Sequence, residues 1–128
     1  MGHARTFVVL LVEDNPDSAE GLRTLLEHAG YTVDVAADGP AALAAARMSD
    51  PEVVLCDIGL PGEMDGYAVA AALRKRPAGR RPYLIALSGY GQPADRERAR
   101  EAGFDRHITK PADPTAIRRI LEDLGRAD

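Results

Sequence analysis

Several kinds of residue are scarce in this chain. Of its 128 residues one is cysteine, none is tryptophan and two are phenylalanine. A lone thiol, Cys56, excludes an internal disulfide and points to a reducing compartment. So few large rings leave no stacking platform for single-stranded nucleic acid, and a formal charge of −4 argues against binding nucleic acid directly. No apolar run is long enough to cross a bilayer, so no membrane association is expected. Phe7 to Val12 is too short for the apolar core of a signal peptide and leads straight into Glu13-Asp14, which makes the expected location cytoplasmic. Lysine is scarce too: two of the 16 basic residues, Lys75 and Lys110, leaving 14 arginines.

What is present is regular alternation. Val53-Val54-Leu55-Cys56 is a continuous apolar run, rich in β-branched residues, of the kind buried on both faces of a parallel sheet. Gly59 and Pro61 end it in a loop, so Asp57 stands at the carboxyl end of a central strand. Phe7 to Val12 reads as a first strand, Thr32 to Ala36 as a second and less apolar one nearer an edge, Tyr83 to Ser88 as a fourth and Arg106 to Thr109 as a short fifth. Between them lie helical patterns. Asn15 and Pro16 open one, with Ala19, Leu22, Leu25, Leu26 and Ala29 at helical spacing and Gly30 closing it. Ala41 to Met48 is a second, Gly66 to Arg76 a third with Tyr67, Val69, Ala70 and Leu73 inward, and Pro93 to Ala102 a fourth, ended by Gly103. The fifth follows Asp113-Pro114, with Ile117, Ile120, Leu121 and Leu124 as its stripe. Pro77 to Pro82 is a connection too short to separate domains.

Five strands alternating with five helices over residues 1–128 predict a single α/β domain. Its expected architecture is a (βα)5 doubly wound parallel five-stranded sheet in flavodoxin-like order 2-1-3-4-5. In that order the first and third strands are neighbours, and the carboxyl ends of the strands bring together Glu13, Asp14, Asp57, Ser88 and Lys110. Three carboxylates in one place repel one another, and a small hard cation relieves them. Mg2+ suits one or two carboxylates plus water and phosphate oxygens, with Mn2+ as its substitute. Ser88 offers a hydroxyl and Lys110 a compact positive charge. Together these groups fit phosphoryl transfer to a carboxylate, with Asp57 attacking in line while the cation and Lys110 neutralise the equatorial oxygens.

Glu13-Asp14, Asp57 followed by Leu60-Pro61 and Met64-Asp65-Gly66, Ser88-Gly89 and Lys110-Pro111 resemble, in order and over nearly the whole chain, the motifs of a response-regulator receiver domain. The resemblance implies phosphorylation of Asp57 by a histidine kinase or a histidine phosphotransfer protein. It implies a metal site of Asp14, Asp57 and the Gly59 carbonyl, with Glu13 acting through water, and phosphoryl contacts from Ser88 and Lys110. It also implies a switch in which Ser88 is drawn to the phosphoryl group and His107, at the position of the family's switch aromatic, turns inward. Gly59 and Tyr90 fall where the family tunes hydrolysis, and slow loss of phosphate is expected. The Ser88-Gly89-Tyr90-Gly91-Gln92 stretch and His107 are most similar to receivers attached to hybrid sensor kinases. The chain is then either a stand-alone regulator or a covalent part of such a kinase. No output domain follows Asp128, so output is expected through protein contact or phosphorelay, or outside this sequence. Such a domain is a phosphoacceptor rather than an enzyme in its own right.

Three departures stand out. Two residues, Gly62 and Glu63, separate Pro61 from Met64-Asp65-Gly66 where the family has one. Glu13 replaces the commoner aspartate. His107 is more polar than the family's aromatic residue, and an unperturbed imidazole titrates near neutral pH. Plainer roles fit the same residues: Asp14 also favours a helix N-terminus, Cys56 fits as a buried filler, and His107 fits as a simple edge-strand residue. His3 and His28 are expected to face solvent. Two other classes are weaker. A haloacid-dehalogenase-type phosphatase needs a second aspartate where Gly59 stands, and a flavodoxin-type FMN module needs a hydroxyl-rich loop where Glu13-Asp14 would repel the phosphate.

Overall fold

The computed structural model describes residues 5–76, 80–89 and 91–126. Its strands are β1 (Val8–Val12), β2 (Thr32–Ala36), β3 (Val53–Asp57), β4 (Tyr83–Ser88) and β5 (Arg106–Thr109). Its helices are α1 (Pro16–His28), α2 (Gly39–Ser49), α3 (Gly66–Arg74), α4 (Pro93–Ala102) and α5 (Pro114–Arg126). The strands form one sheet in the order β2-β1-β3-β4-β5, every pair parallel. The expected architecture is the observed one, with β2 at an edge as its weaker apolar pattern indicated.

The period-two pattern of the inner strands divides the core into two layers. Leu10, Val12, Val54, Cys56, Leu84 and Ala86 face α2, α3 and α4, among Ala42, Ala46, Val69, Leu73 and Phe104. Val9, Leu11, Val53, Leu55, Ile85 and Leu87 face α1 and α5, among Ala19, Leu26, Ile117 and Leu121. Each fully buried Leu or Ile contributes about 1.5–3 kcal/mol of transfer free energy, so the three central strands carry most of the stability. Cys56 lies in the first layer as a buried filler, and burial pushes its thiol pKa well up. His28 is exposed, whereas His3 lies outside the described residues.

Most element ends are set by side chains. Asn15 accepts a hydrogen bond from Ser18 N at 3.0 Å and caps α1, with Pro16 next. Asp38 does the same for α2 from Ala41 N at 2.8 Å, so α2 starts two residues before the expected Ala41. Asp65 caps α3 through Ala68 N at 3.0 Å. That helix stops at Arg74 rather than Arg76, and the Arg76 side chain turns to Asp50 at 3.2 Å. β1 begins at Val8, with Phe7 packed edge-on against Tyr31 at 5.1 Å.

The outer part of the sheet is built differently. Helix α4 buries one residue, Ala99, and its remaining length is largely charged. β5 has no fully buried residue. Both are tied down by Arg74. Its Nε donates to Gly103 O at 2.9 Å, one Nη to Pro82 O at 2.7 Å, and the other to Asp105 Oδ2 at 2.6 Å. The same Asp105 oxygen accepts from Leu84 N at 2.8 Å. The guanidinium therefore fastens the carboxyl end of α4 and the start of β5 to the start of β4.

Candidate functional site

Parallel pairing fixes which residues meet at the carboxyl edge. β1 and β3 are adjacent, with Val12 opposite Cys56, so the residues that follow each strand emerge side by side. Glu13 N donates to Ala36 O at 2.9 Å, which carries the chain one residue beyond β1 before it turns. Carboxylate oxygens of Glu13, Asp14 and Asp57 all lie within 4.8 Å of one another. Glu13 and Asp57 are buried, at 6% and 8% exposure, while Asp14 is open to solvent. A buried pair beside an exposed third acid is a half-open cup of hard oxygen donors.

Each buried acid is held on more than one side. Asp57 Oδ1 accepts from Gly59 N at 2.9 Å, and Asp57 Oδ2 from Lys110 Nζ at 2.8 Å. Glu13 Oε2 accepts from Asn15 N at 3.1 Å, and Oε1 from Lys110 Nζ at 3.1 Å. One ammonium thus bridges two carboxylates. Lys110 is placed by Lys110 N donating to Ser88 O at 2.7 Å, and the Lys110–Pro111 peptide is cis. Burial raises the Glu13 pKa; hydrogen bonds from Asn15 and Lys110 partly offset this, and the Asp57 charge adds to it. Burial alone would lower the Lys110 pKa, but its hydrogen bonds to Asp57 and Glu13, with their charges, outweigh that and raise it. Three carboxylates against one ammonium leave a net negative site, which fits a divalent cation held by oxygen.

The loop after β3 closes the site from below. Gly66 N donates to Ile58 O at 2.9 Å, and a Cβ at Gly66 would lie 2.5 Å from Asp57 O and 2.6 Å from Ile58 Cα. Only glycine lets α3 start this close to the end of β3. Within the lengthened loop Gly62 has a left-handed φ of 86°. Met64 folds back over Gly39, with Met64 Cγ 2.5 Å from where a Gly39 Cβ would stand. The lengthened loop thus bulges toward α2 and leaves Asp57 and Gly59 in register with Lys110.

Ser88 is buried at the end of β4, next to Leu87, which pairs with Asp57. Its Oγ lies 2.9 Å from His107 Nε2. His107 pairs with Ala86 in the sheet and is half-buried. The ring is thus turned toward Ser88. Tyr90, expected to tune hydrolysis, lies outside the described residues.

The structure therefore brings together Glu13, Asp14, Asp57, Gly59 and Lys110, and places Ser88 and His107 as a second pair along the same edge. Sequence reasoning missed the backbone donors: the Gly59 and Asn15 amides that hold the two buried acids. An aspartate at the end of a strand can accept from the amide two residues on, as in an Asx turn, and that pattern is local in the sequence. The Lys110 bridge to Glu13 had no local signal, since the two residues are 97 apart in the chain.

Comparison with known proteins agrees with this geometry. The family model of the response regulator receiver domain matches residues 9–122. The polar-differentiation response regulator DivK of Brucella ovis is 35% identical over 120 residues, covering 93% of this chain and 97% of its own. The transcriptional regulatory protein TcrA of Mycobacterium tuberculosis is 39% identical over 118 residues, but this chain spans only 46% of its length. The receiver domain of the sensor histidine kinase PA1611 from Pseudomonas aeruginosa has a solved structure with a magnesium ion coordinated in its active-site cleft. It superposes with a TM-score of 0.83 at 33% identity, covering 95% of this chain and 99% of that one. Fold, strand-end residues and family match agree: this chain belongs to the response regulator receiver domains of two-component signalling.

Proposed function

We propose that this chain, as one receiver unit over its whole length, accepts a phosphoryl group on Asp57 in a Mg2+-dependent reaction and relays its phosphorylation state to a protein partner. One observation carries the reading. Asp57 is a buried carboxylate held between a backbone amide and an ammonium, with two further carboxylates within 4.8 Å. A carboxylate merely capping a loop needs neither the ammonium nor the other acids.

Asp14, Asp57 and the Gly59 carbonyl would hold the cation, with Glu13 reaching it through water. When bound, the cation supplies positive charge to the phosphoryl oxygens and offsets the acids' repulsion. Asp57 provides the attacking oxygen. The new oxygen–phosphorus bond forms as the donor's phosphorus–nitrogen bond, in a phosphohistidine, breaks. Lys110, already on Asp57, neutralises charge on the transferring group, and Ser88 donates its hydroxyl to a phosphoryl oxygen. The transfer is self-directed: the chain modifies its own carboxylate and later loses the group to water. Partners of this class are a histidine kinase or a histidine phosphotransfer protein in the cytoplasm. A groove of about 670 Å³ between α1 and α5, walled by Leu22, Leu87, Pro111 and Ile117, opens beside Lys110. Its position and apolar walls suit a helical partner that presents its histidine to Asp57.

The test is incubation with acetyl phosphate and Mg2+ followed by intact-mass analysis. The wild-type chain gains one phosphoryl group; Asp57→Asn gains none, and a chelator abolishes the gain. A phosphoryl group appearing on Asp57→Asn at the wild-type rate overturns the assignment.

A further inference from the structure

Among the described residues, one buried side-chain nitrogen or oxygen has no hydrogen-bond partner: His107 Nδ1. The other ring nitrogen, Nε2, is 2.9 Å from Ser88 Oγ. A neutral imidazole carries one proton, and its site decides the direction of this hydrogen bond. With the proton on Nδ1, a buried N–H is left without an acceptor and the serine proton is drawn to Nε2, away from any group on Asp57. With the proton on Nε2, the orphan atom is a bare lone pair. Orphaned buried N–H groups are rarer than under-used acceptors, which favours Nε2–H. The charged groups facing the ring act in opposite senses, with the net effect that of burial. Burial, and then Arg96 on α4, disfavour the doubly protonated ring, and Asp95 on the same helix only partly opposes them. Arg100 on α4 and Asp105 and Arg106 at the start of β5 line the same hollow.

We propose that His107 is a positioning residue for Ser88, its Nε2–H donating to Ser88 Oγ so that the serine proton is aimed at the phosphoryl group on Asp57. This rests on the reading of Asp57 as the acceptor. The serine then stands in a chain of two hydrogen bonds, accepting from His107 and donating to the phosphoryl oxygen. Donation by a hydroxyl makes its oxygen a better acceptor, so phosphorylation tightens the bond to His107. The charge on Asp57 reaches β5 through this bond. In an isolated strand β5 the same histidine would only fill space; diagonal to a buried serine on β4 it orients a proton.

The experiment needs the wild-type chain and two variants. Long-range proton–nitrogen correlation NMR of the imidazole reads the tautomer directly. The expected resting state has a protonated Nε2 and a bare Nδ1, and the Nε2–H resonance moves downfield on adding beryllofluoride with Mg2+. In parallel, acetyl-phosphate phosphorylation slows roughly three- to tenfold in His107→Phe, the loss of one hydrogen bond to the transferring group's donor. His107→Gln, which keeps an N–H donor, falls between Phe and wild type. A protonated Nδ1 in the resting chain, a His107→Phe rate within twofold of wild type, or a His107→Gln rate no better than His107→Phe each overturns the relay while leaving Asp57 as acceptor. A wild-type chain that takes no phosphoryl group overturns the acceptor reading itself, and the relay with it.

Discussion

β3 and β5 belong to the same sheet, two strands apart, and are built on opposite plans. All five residues of β3 are buried, and helices cover both its faces. In β5 the two end residues are exposed and the middle two are half-buried. The helix beside it, α4, has one buried alanine, whereas α5 buries Ile117, Leu121 and Gly125. Asp57 is mounted on the rigid strand, and His107 and the Lys110 backbone on the lightly held one. A site split this way combines a fixed reacting atom with contacts that can shift at little cost in stability.

The contrast is sharpest in core truncations. Leu10→Ala or Leu55→Ala, at positions with no solvent exposure, is expected to cost about 2–5 kcal/mol in denaturant unfolding. Ala99→Gly in α4 is expected to cost only about 1 kcal/mol. Equal losses would erase the distinction. Native-state hydrogen exchange is the companion measurement: β3 amides open only with global unfolding, and β5 amides open well below it. Next in size is Arg74→Ala, which removes three hydrogen bonds and leaves the Asp105 carboxylate with the Leu84 amide but without its guanidinium. With Asp105 a third exposed, the expected loss is about 1–2 kcal/mol, and it appears as faster exchange in β5 and α4 before any change in β3. A uniform effect would mean that the clamp serves the whole sheet.

A smaller effect tests the site end of the comparison. Mg2+ at ten times its dissociation constant stabilises the folded chain by about 1.4 kcal/mol, read as a rise in Tm over a chelated sample. Asp14→Asn shrinks that rise. An undiminished rise would take Asp14 out of the site. The smallest effect concerns pH. The His107 pKa is depressed on folding, below an ordinary 6.5. The unfolded chain therefore takes up a proton first as pH falls, and folding stability is lost from about 6.5 down through the folded value. His107→Phe removes that proton uptake, so the gap in Tm between wild type and variant shifts in favour of the variant between pH 7.5 and 5.5. A gap that does not change with pH would show that burial leaves the ring unperturbed.

The sequence made the rigid half legible because its physics is local. A run such as Val53–Cys56, ended by Gly59 and Pro61, reads as a doubly buried strand, Asn15-Pro16 marks a helix start, and Gly103, with a φ of 115°, marks an end. Period and punctuation together gave strand order and the converging acids. The movable half was legible in its boundaries but not in its contacts. Arg74 lies at the end of a helix, and nothing near it in the chain announces Gly103, Pro82 and Asp105 as its acceptors. His107 was noticed as a departure, yet its bond to Ser88 depends on the diagonal offset of two parallel strands, which only the register between β4 and β5 reveals. Long-range side-chain pairing leaves no periodic trace.

The three-way grip of Arg74 has a mechanical consequence. It fixes α4 and β5 at the end remote from Asp57, so any displacement started near the phosphoryl group must swing about that fulcrum. The lever arm along α4 is about 15 Å for ten residues at 1.5 Å each, and travel grows along it toward Pro93. A protein that senses the state of this domain gains most by gripping the first turn of α4, and least by touching Gly103.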